Sequence, residues 1–183
     1  PNGKVLAVEA SPKIVKYLKE NMDLNNLNNV TVLEYAVTDK DDDEVNFYEP
    51  PSDHFGMGSI APQFHSNPIS VKTKTLDSII KEEKISKVNV IKVDVEGYEA
   101  LVFKGGEKLL TSLESPVIIF EFCDWAEERS GMKIGESQRI LRDFGYKLWK
   151  LEDFMKVKRP LPLEDILESG AEMLVGVKGG INE

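Results

Sequence analysis

At 183 residues the chain is long enough for one domain with a buried core, and its 41% hydrophobic and 30% charged residues are the proportions of an ordinary globular domain. A net charge of −9 would repel phosphate backbones, which argues against nucleic acid as a partner. No apolar run approaches the roughly 20 residues of a membrane-spanning helix, and Cys123, the single cysteine, excludes an internal disulfide and a cysteine-based metal site. The first residues do not read as a signal peptide, so a cytoplasmic setting is expected. Lys147, Lys150, Lys156, Lys158 and Arg159 form the densest basic stretch, but Glu152 and Asp153 dilute it and it reads as solvated surface.

Residues 4–9 form a near-continuous apolar run ending in Glu9, the look of a strand buried on both faces of a parallel sheet. A helix follows at once, with Ser11 as its cap, Pro12 in its first turn and Ile14, Val15, Leu18 and Met22 along its inner face. Asn25, Asn26, Asn28 and Asn29 end it, and residues 30–35 read as the next strand, completing a right-handed βαβ unit. Residues 38–75 read as an insertion. A polar turn at 39–44 leads to an alternating strand at 45–48, a long loop at 49–68 follows, and a strand at 69–75 could pair back.

A short helix starts after Thr75, and residues 88–94 are a third parallel-type strand with a turn at 95–99. A helix from about Tyr98 ends near Gly105 and Gly106 or continues to Leu113. The most apolar strand covers 117–122, and a helix at 137–144 turns Ile140, Leu141 and Phe144 inward. A strand at 146–151, a short helix at 163–169 and a last strand at 173–177 complete the single domain. Strands alternating with helices predict an open α/β sheet, whose ligands lie at the carboxyl ends of its strands. Those ends carry Glu9, Tyr35 and Ala36, Asp94 and Glu96, and Glu121.

Glu9 could accept both hydroxyls of a ribose, or cap the following helix; the acid by itself does not tell one nucleotide cofactor from another. Near Tyr35 an adenine ring could stack while the Ala36 amide bonds a ring nitrogen, or Tyr35 could simply pack under the next loop. Lys92, Asp94 and Glu96 share one strand face, and charges there are costly unless paired or functional. The structural alternative pairs Lys92 with Asp94 and leaves Glu96 or Glu99 as acids favoured by a helix amino terminus. Gly97 permits a tight turn and close approach of a substrate to the backbone.

The run Ile91-Lys92-Val93-Asp94-Val95-Glu96-Gly97-Tyr98-Glu99, followed by Val102-Phe103-Lys104-Gly105, resembles the signature of FkbM-type methyltransferases. Further pieces fall in that family's order: residues 8–12, residues 35–39, Gly58-Ser59, Thr75-Leu76-Asp77 and residues 118–121. The resemblance implies a Rossmann-like class I methyltransferase sheet, mostly parallel with an antiparallel last strand. It implies S-adenosylmethionine as cofactor, held by Glu9, Ala10, Tyr35, Ala36 and Asp94, and transfer of its methyl group to a hydroxyl of a small molecule or glycan. Such a domain begins with a glycine-rich strand and turn, and only Pro1-Asn2-Gly3 precede the first strand here. The expectation is therefore an amino-terminally truncated domain, its first strand and helix missing. The missing strand would lie between the strands ending at Glu9 and Asp94, which either close up or leave an open slot.

Methyl transfer to a hydroxyl needs a group to take its proton. Asp94 and Glu96 are the first candidates and Glu121 the next, with His54 and His65 of the long loop further out. The spacing of the acids does not require a metal. Two rival functions stand beside the O-methyltransferase: a degenerate, non-catalytic binding module of the same fold, and an NAD-dependent oxidoreductase.

Overall fold

The structure is a computed structural model that describes residues 3–64, 66–156 and 162–179. It is an α/β fold of mixed sheets. Strand β1 (Val5–Glu9), helix α1 (Pro12–Leu24) and strand β2 (Val30–Glu34) form the expected unit, with β1 and β2 parallel from Val5↔Val30 to Glu9↔Glu34. Ser11 caps α1 by accepting the Ile14 N–H at 3.2 Å, and Pro12 takes the first turn, where a missing N–H costs nothing.

At Tyr35 the chain changes sheet, a departure from the single strand expected over residues 30–35. Strand β3 (Ala36–Val37) runs parallel to β5 (Ile69–Lys74), and β4 (Glu44–Phe47) pairs antiparallel with the other edge of β5, from Glu44↔Lys72 to Phe47↔Ile69. The two alternating stretches do form the expected hairpin, closed by a long loop. Helix α2 (Leu76–Glu82) follows, capped by Thr75.

The remaining strands make one four-stranded sheet in the order β6 (Val90–Val93), β7 (Val117–Cys123), β9 (Ala171–Val177), β8 (Lys147–Lys150). β6 and β7 are parallel; β9 is antiparallel to both its neighbours, so the last strand has the expected direction. Phe103, Phe120, Phe122, Leu141, Leu148 and Leu174 fill the core over it. The helix expected from Tyr98 is two: α3 (Glu99–Lys104) and α4 (Glu107–Thr111). They part at Gly105, where a β-carbon would lie 2.1 Å from the Thr38 carbonyl oxygen, and Asp77 caps α4 by accepting from the Lys108 and Leu109 amides, each at 3.0 Å.

Three further differences have local causes. Residues 163–169 are not helical, because their carbonyls go elsewhere: Arg142 donates to the oxygens of Leu163, Glu164 and Asp165, and the Gln138 amide brackets Leu167. The strand expected to Leu151 stops at Lys150, where α7 (Leu151–Lys156) begins. Helix α5 (Asp124–Arg129) leaves directly from β7 and precedes α6 (Glu136–Asp143). No helix among the described residues is long and apolar enough to cross a membrane.

β1 and β6 are not paired. Between them lies an open slot of about 1000 Å³, walled by Val5, Leu6 and Val8 on one side, by Val90, Ile91 and Val93 on the other and floored by α2. Among the described residues each of the two strands is hydrogen-bonded on one edge only. Val5 and Val90 are half exposed, at 50% and 56%.

Candidate functional site

Glu9, Ala10, Tyr35, Ala36 and Asp94 line one cavity of about 100 Å³ at the carboxyl ends of β1, β2 and β6. Ile14, Phe47 and Ile60 supply apolar wall, and Gly58 and Ser59 bring the long loop over it. By volume it has room for a few waters, the scale of part of a nucleoside. Glu9 lies between its two sequence readings: its Oε1 accepts the Ser11 N–H at 2.8 Å at the helix entrance while the side chain also borders the cavity. Burial pushes its carboxyl up from the ordinary value, the Ser11 and Ala10 amides oppose this, and Glu49 adds to it. The Ser11 hydroxyl donates to Glu49 at 2.5 Å. Beside the cavity the Tyr35 ring carries the Lys74 ammonium 5.0 Å from its centroid. A carboxylate for a ribose diol, apolar wall for a purine and an adjacent aromatic ring fit the adenosine half of S-adenosylmethionine.

Asp94, which lines the cavity, also stands in a cluster with Glu96 and Glu121, each offering a carboxylate oxygen within 4.8 Å of the others. Such a hard oxygen set could hold magnesium or calcium, though two cations already face it. Lys92 donates to Asp94 at 2.6 Å, and Arg129 Nη2 lies 4.0 Å from the Glu96 carboxylate. Burial raises the Glu96 carboxyl first, then the charges of Glu121 and Asp94, with Arg129 opposing; burial and Asp94 raise Glu121, with Lys92 opposing. Like charges this close favour sharing a proton, which brings a carboxylate nearer the range of a useful general base.

The turn that aims these acids is held from behind. Glu96 adopts φ 56° and Gly97 φ 95°, and a β-carbon on Gly97 would lie 2.2 Å from the Ala126 carbonyl oxygen. Glu99, 2% exposed, accepts the Val95 N–H at 3.0 Å, and burial pushes its carboxyl up to about 7. Its burial beneath the turn, rather than at a solvated helix start, was not legible in the sequence. Neither was Glu127, 1% exposed, which accepts the amides of Gly135 and Ser137 and the Ser137 hydroxyl.

Arg129 is the other residue that pattern reading missed. Its Nη2 donates to the Glu96 carbonyl at 3.3 Å, its guanidinium carbon stacks 4.9 Å from the Trp125 ring centroid, and its Nε is buried without a partner among the described residues. With the Gln63 amide oriented to suit both neighbours, its oxygen accepts from Arg129 Nη1 at 3.2 Å and its nitrogen donates to the Met57 carbonyl at 3.1 Å. A polar hexapeptide at 124–129 gave no periodic signal for this.

His54 is not at the cavity; it pairs with Asp53 at 3.3 Å and packs on Phe64. His65 lies outside the described residues, as do Lys158 and Arg159 of the basic stretch. Lys150 and Lys156 of that stretch pair with Glu172 and Glu152.

A family model described as the methyltransferase FkbM domain matches residues 1–148. Hexuronic acid methyltransferase AglP of Haloferax volcanii is 29% identical over 155 residues, covering 85% of this chain and 62% of that protein. The 2-O-methyltransferase NoeI of Sinorhizobium fredii is 29% identical over 141 residues, covering 68% of this chain and 55% of that protein. The chain thus spans less than two thirds of the length of either curated relative. Among solved structures, precorrin-6y C5,15-methyltransferase from Geobacter metallireducens GS-15 aligns over 98% of this chain and 69% of its own, with a TM-score of 0.49 and 13% identity.

Proposed function

The chain belongs to the FkbM methyltransferase family, and from that premise we propose that it serves S-adenosylmethionine-dependent O-methylation of a sugar hydroxyl. The observation that carries the proposal is the convergence of Glu9, Tyr35, Ala36 and Asp94 on one cavity, with Glu96 and Glu121 clustered on Asp94. The relatives AglP and NoeI, a hexuronic acid methyltransferase and a 2-O-methyltransferase, support the sugar hydroxyl. Bound there, S-adenosylmethionine supplies an electrophilic methyl group. Glu9 accepts from the ribose hydroxyls, and Ile14, Phe47 and Ile60 exclude water from the base. Tyr35 and Ala36 would border the base, the Ala36 backbone itself being engaged with β5. Glu96 or Glu121, raised by burial and by neighbouring charge, would receive the acceptor's hydroxyl proton as its oxygen takes the methyl group, the carbon–sulfur bond breaking to leave S-adenosylhomocysteine as the neutral thioether. A cytoplasmic setting belongs to the same proposal; the buried free thiol of Cys123 is compatible with a reducing compartment.

The slot between β1 and β6 belongs to the proposal as well. Two apolar strands whose facing edges are unpaired among the described residues border one gap, and a further parallel strand inserted there would pair with both, at the usual spacing of about 4.8 Å from each. The same slot favours the second reading, a non-catalytic binding module, if nothing fills it. Transfer of labelled methyl from S-adenosylmethionine to a panel of hexosides and hexuronic acids separates the two. Transfer that is lost in Glu96→Gln supports the enzyme, and a folded protein that binds S-adenosylhomocysteine but transfers nothing refutes it.

A further inference from the structure

Trp125 is the second residue of α5, four residues after Glu121 of β7, and it is 48% exposed. Water covers half of a large indole that elsewhere would be buried, as in Trp149 at 4%. Its position is nonetheless fixed. One face receives the Arg129 guanidinium at 4.9 Å, and the same guanidinium reaches the Glu96 carbonyl at 3.3 Å and Gln63 at 3.2 Å. Arg129 therefore ties the ring to the backbone that carries the acid cluster. Gln63 brings in the long loop, whose next residue, Phe64, is 38% exposed and packs against His54 with centroids 4.5 Å apart. Arg129 thus links the exposed indole on α5 to the backbone of Glu96 and, through Gln63, to the long loop.

The charge around Glu96 is lopsided. Asp94, Glu96 and Glu121 stand together against Lys92 and Arg129, and both cations already pair with acids of this set. An arriving carboxylate or phosphate meets net negative potential. Hydroxyl groups do not: they donate to carboxylate oxygens, whose acceptor capacity exceeds what Lys92 and Arg129 consume. The apolar face of a pyranose presents several C–H groups, which suit the electron-rich face of an indole.

We infer that Trp125 is the stacking platform of the acceptor subsite, and that this subsite takes an uncharged sugar ring in preference to an acidic one. The inference rests on the O-methyltransferase proposal for the place of the acceptor, but its binding test does not require turnover. Trp125 and Arg129 hold the ring; Glu96 and Glu121 accept from its hydroxyls and leave one oxygen facing the cavity.

Saturation-transfer NMR with neutral methyl pyranosides (gluco, galacto and manno) and with glucuronic and galacturonic acids is the test, on wild type and Trp125→Ala. The expected result is binding of at least one neutral pyranoside, weaker binding of the uronic acids, and a loss of roughly ten-fold in affinity for the pyranoside in Trp125→Ala. The variant should lose some thermal stability, since half of the ring is buried and packs on Arg129, but its S-adenosylhomocysteine shifts should stay those of wild type. Tighter binding of a uronic acid, equal pyranoside affinity in Trp125→Ala, or no sugar bound by wild type overturns the inference. Failure of S-adenosylhomocysteine to bind while the pyranoside result holds would overturn the cofactor proposal instead.

Discussion

Glu99 makes the stability of this protein depend on pH in a direction that can be worked out beforehand. Its carboxyl is 2% exposed, holds the Val95 amide and faces the charge of Glu127, and burial raises its pKa from 4.5 to about 7. The folded chain therefore keeps a proton between pH 4.5 and 7 that the unfolded chain has released. With more protons bound to the folded state, stability falls as pH rises through that window and levels off above it. At 1.36 kcal/mol per unit, the loss between pH 5 and pH 8 is roughly 2–3 kcal/mol. Glu99→Gln keeps an oxygen for the Val95 N–H but cannot ionise, so it should be insensitive to this term. Urea unfolding at pH 5, 6, 7 and 8 on both proteins isolates it, because Glu9, Glu96 and Glu121 titrate in both. The difference in stability, variant minus wild type, should grow by roughly 2–3 kcal/mol from pH 5 to pH 8. Parallel curves would refute the reasoning, and so would a variant that loses ground as pH rises.

Glu9→Gln should weaken S-adenosylhomocysteine binding by roughly 1.5–3 kcal/mol, the worth of hydrogen bonds to a charged group, as read by calorimetric titration. Asp94→Asn breaks a pair that is about half exposed on both sides, 59% and 45%, so thermal melting should register less than about 1 kcal/mol. Methyl transfer should fall on the order of 10²-fold in Asp94→Asn and Glu96→Gln if these acids orient or deprotonate the acceptor. Full activity per folded molecule with lowered stability would return them to a structural role. Gly97→Ala should lower stability by roughly 1–3 kcal/mol for the positive φ and a similar amount for the contact at the Ala126 carbonyl, measured by urea unfolding. An unchanged midpoint would mean that the turn bearing Glu96 is not rigid.

Much of the frame was legible because short-range signals carry it. The apolar run before Glu9, the Ser11-Pro12 helix start and the alternating hairpin each have a period or cap that needs no tertiary partner. The grouping of Asp94, Glu96 and Glu121 could also be anticipated, since strand ends at one edge of a parallel sheet converge. What the pattern hid depends on contacts distant in sequence. Residues 163–169 have helix-compatible composition, yet Arg142 and Gln138 capture their backbone. Tyr35 continues an extended run, and only the pairing of Ala36 with Thr73 shows that the chain has changed sheet. Glu99 and Glu127 read as surface acids; backbone amides and Ser137, brought up by the fold, let them be buried.

The central claim is that the cavity lined by Glu9, Ala10, Tyr35, Ala36 and Asp94 receives the adenosine half of S-adenosylmethionine. Amide chemical-shift mapping of this chain with S-adenosylhomocysteine, carried to several millimolar so that weak binding registers, tests it most directly. The account predicts saturable shifts concentrated at residues 9–11, 35–37 and 94–96, reduced in Glu9→Gln. Shifts centred elsewhere, or none at millimolar ligand, would contradict it.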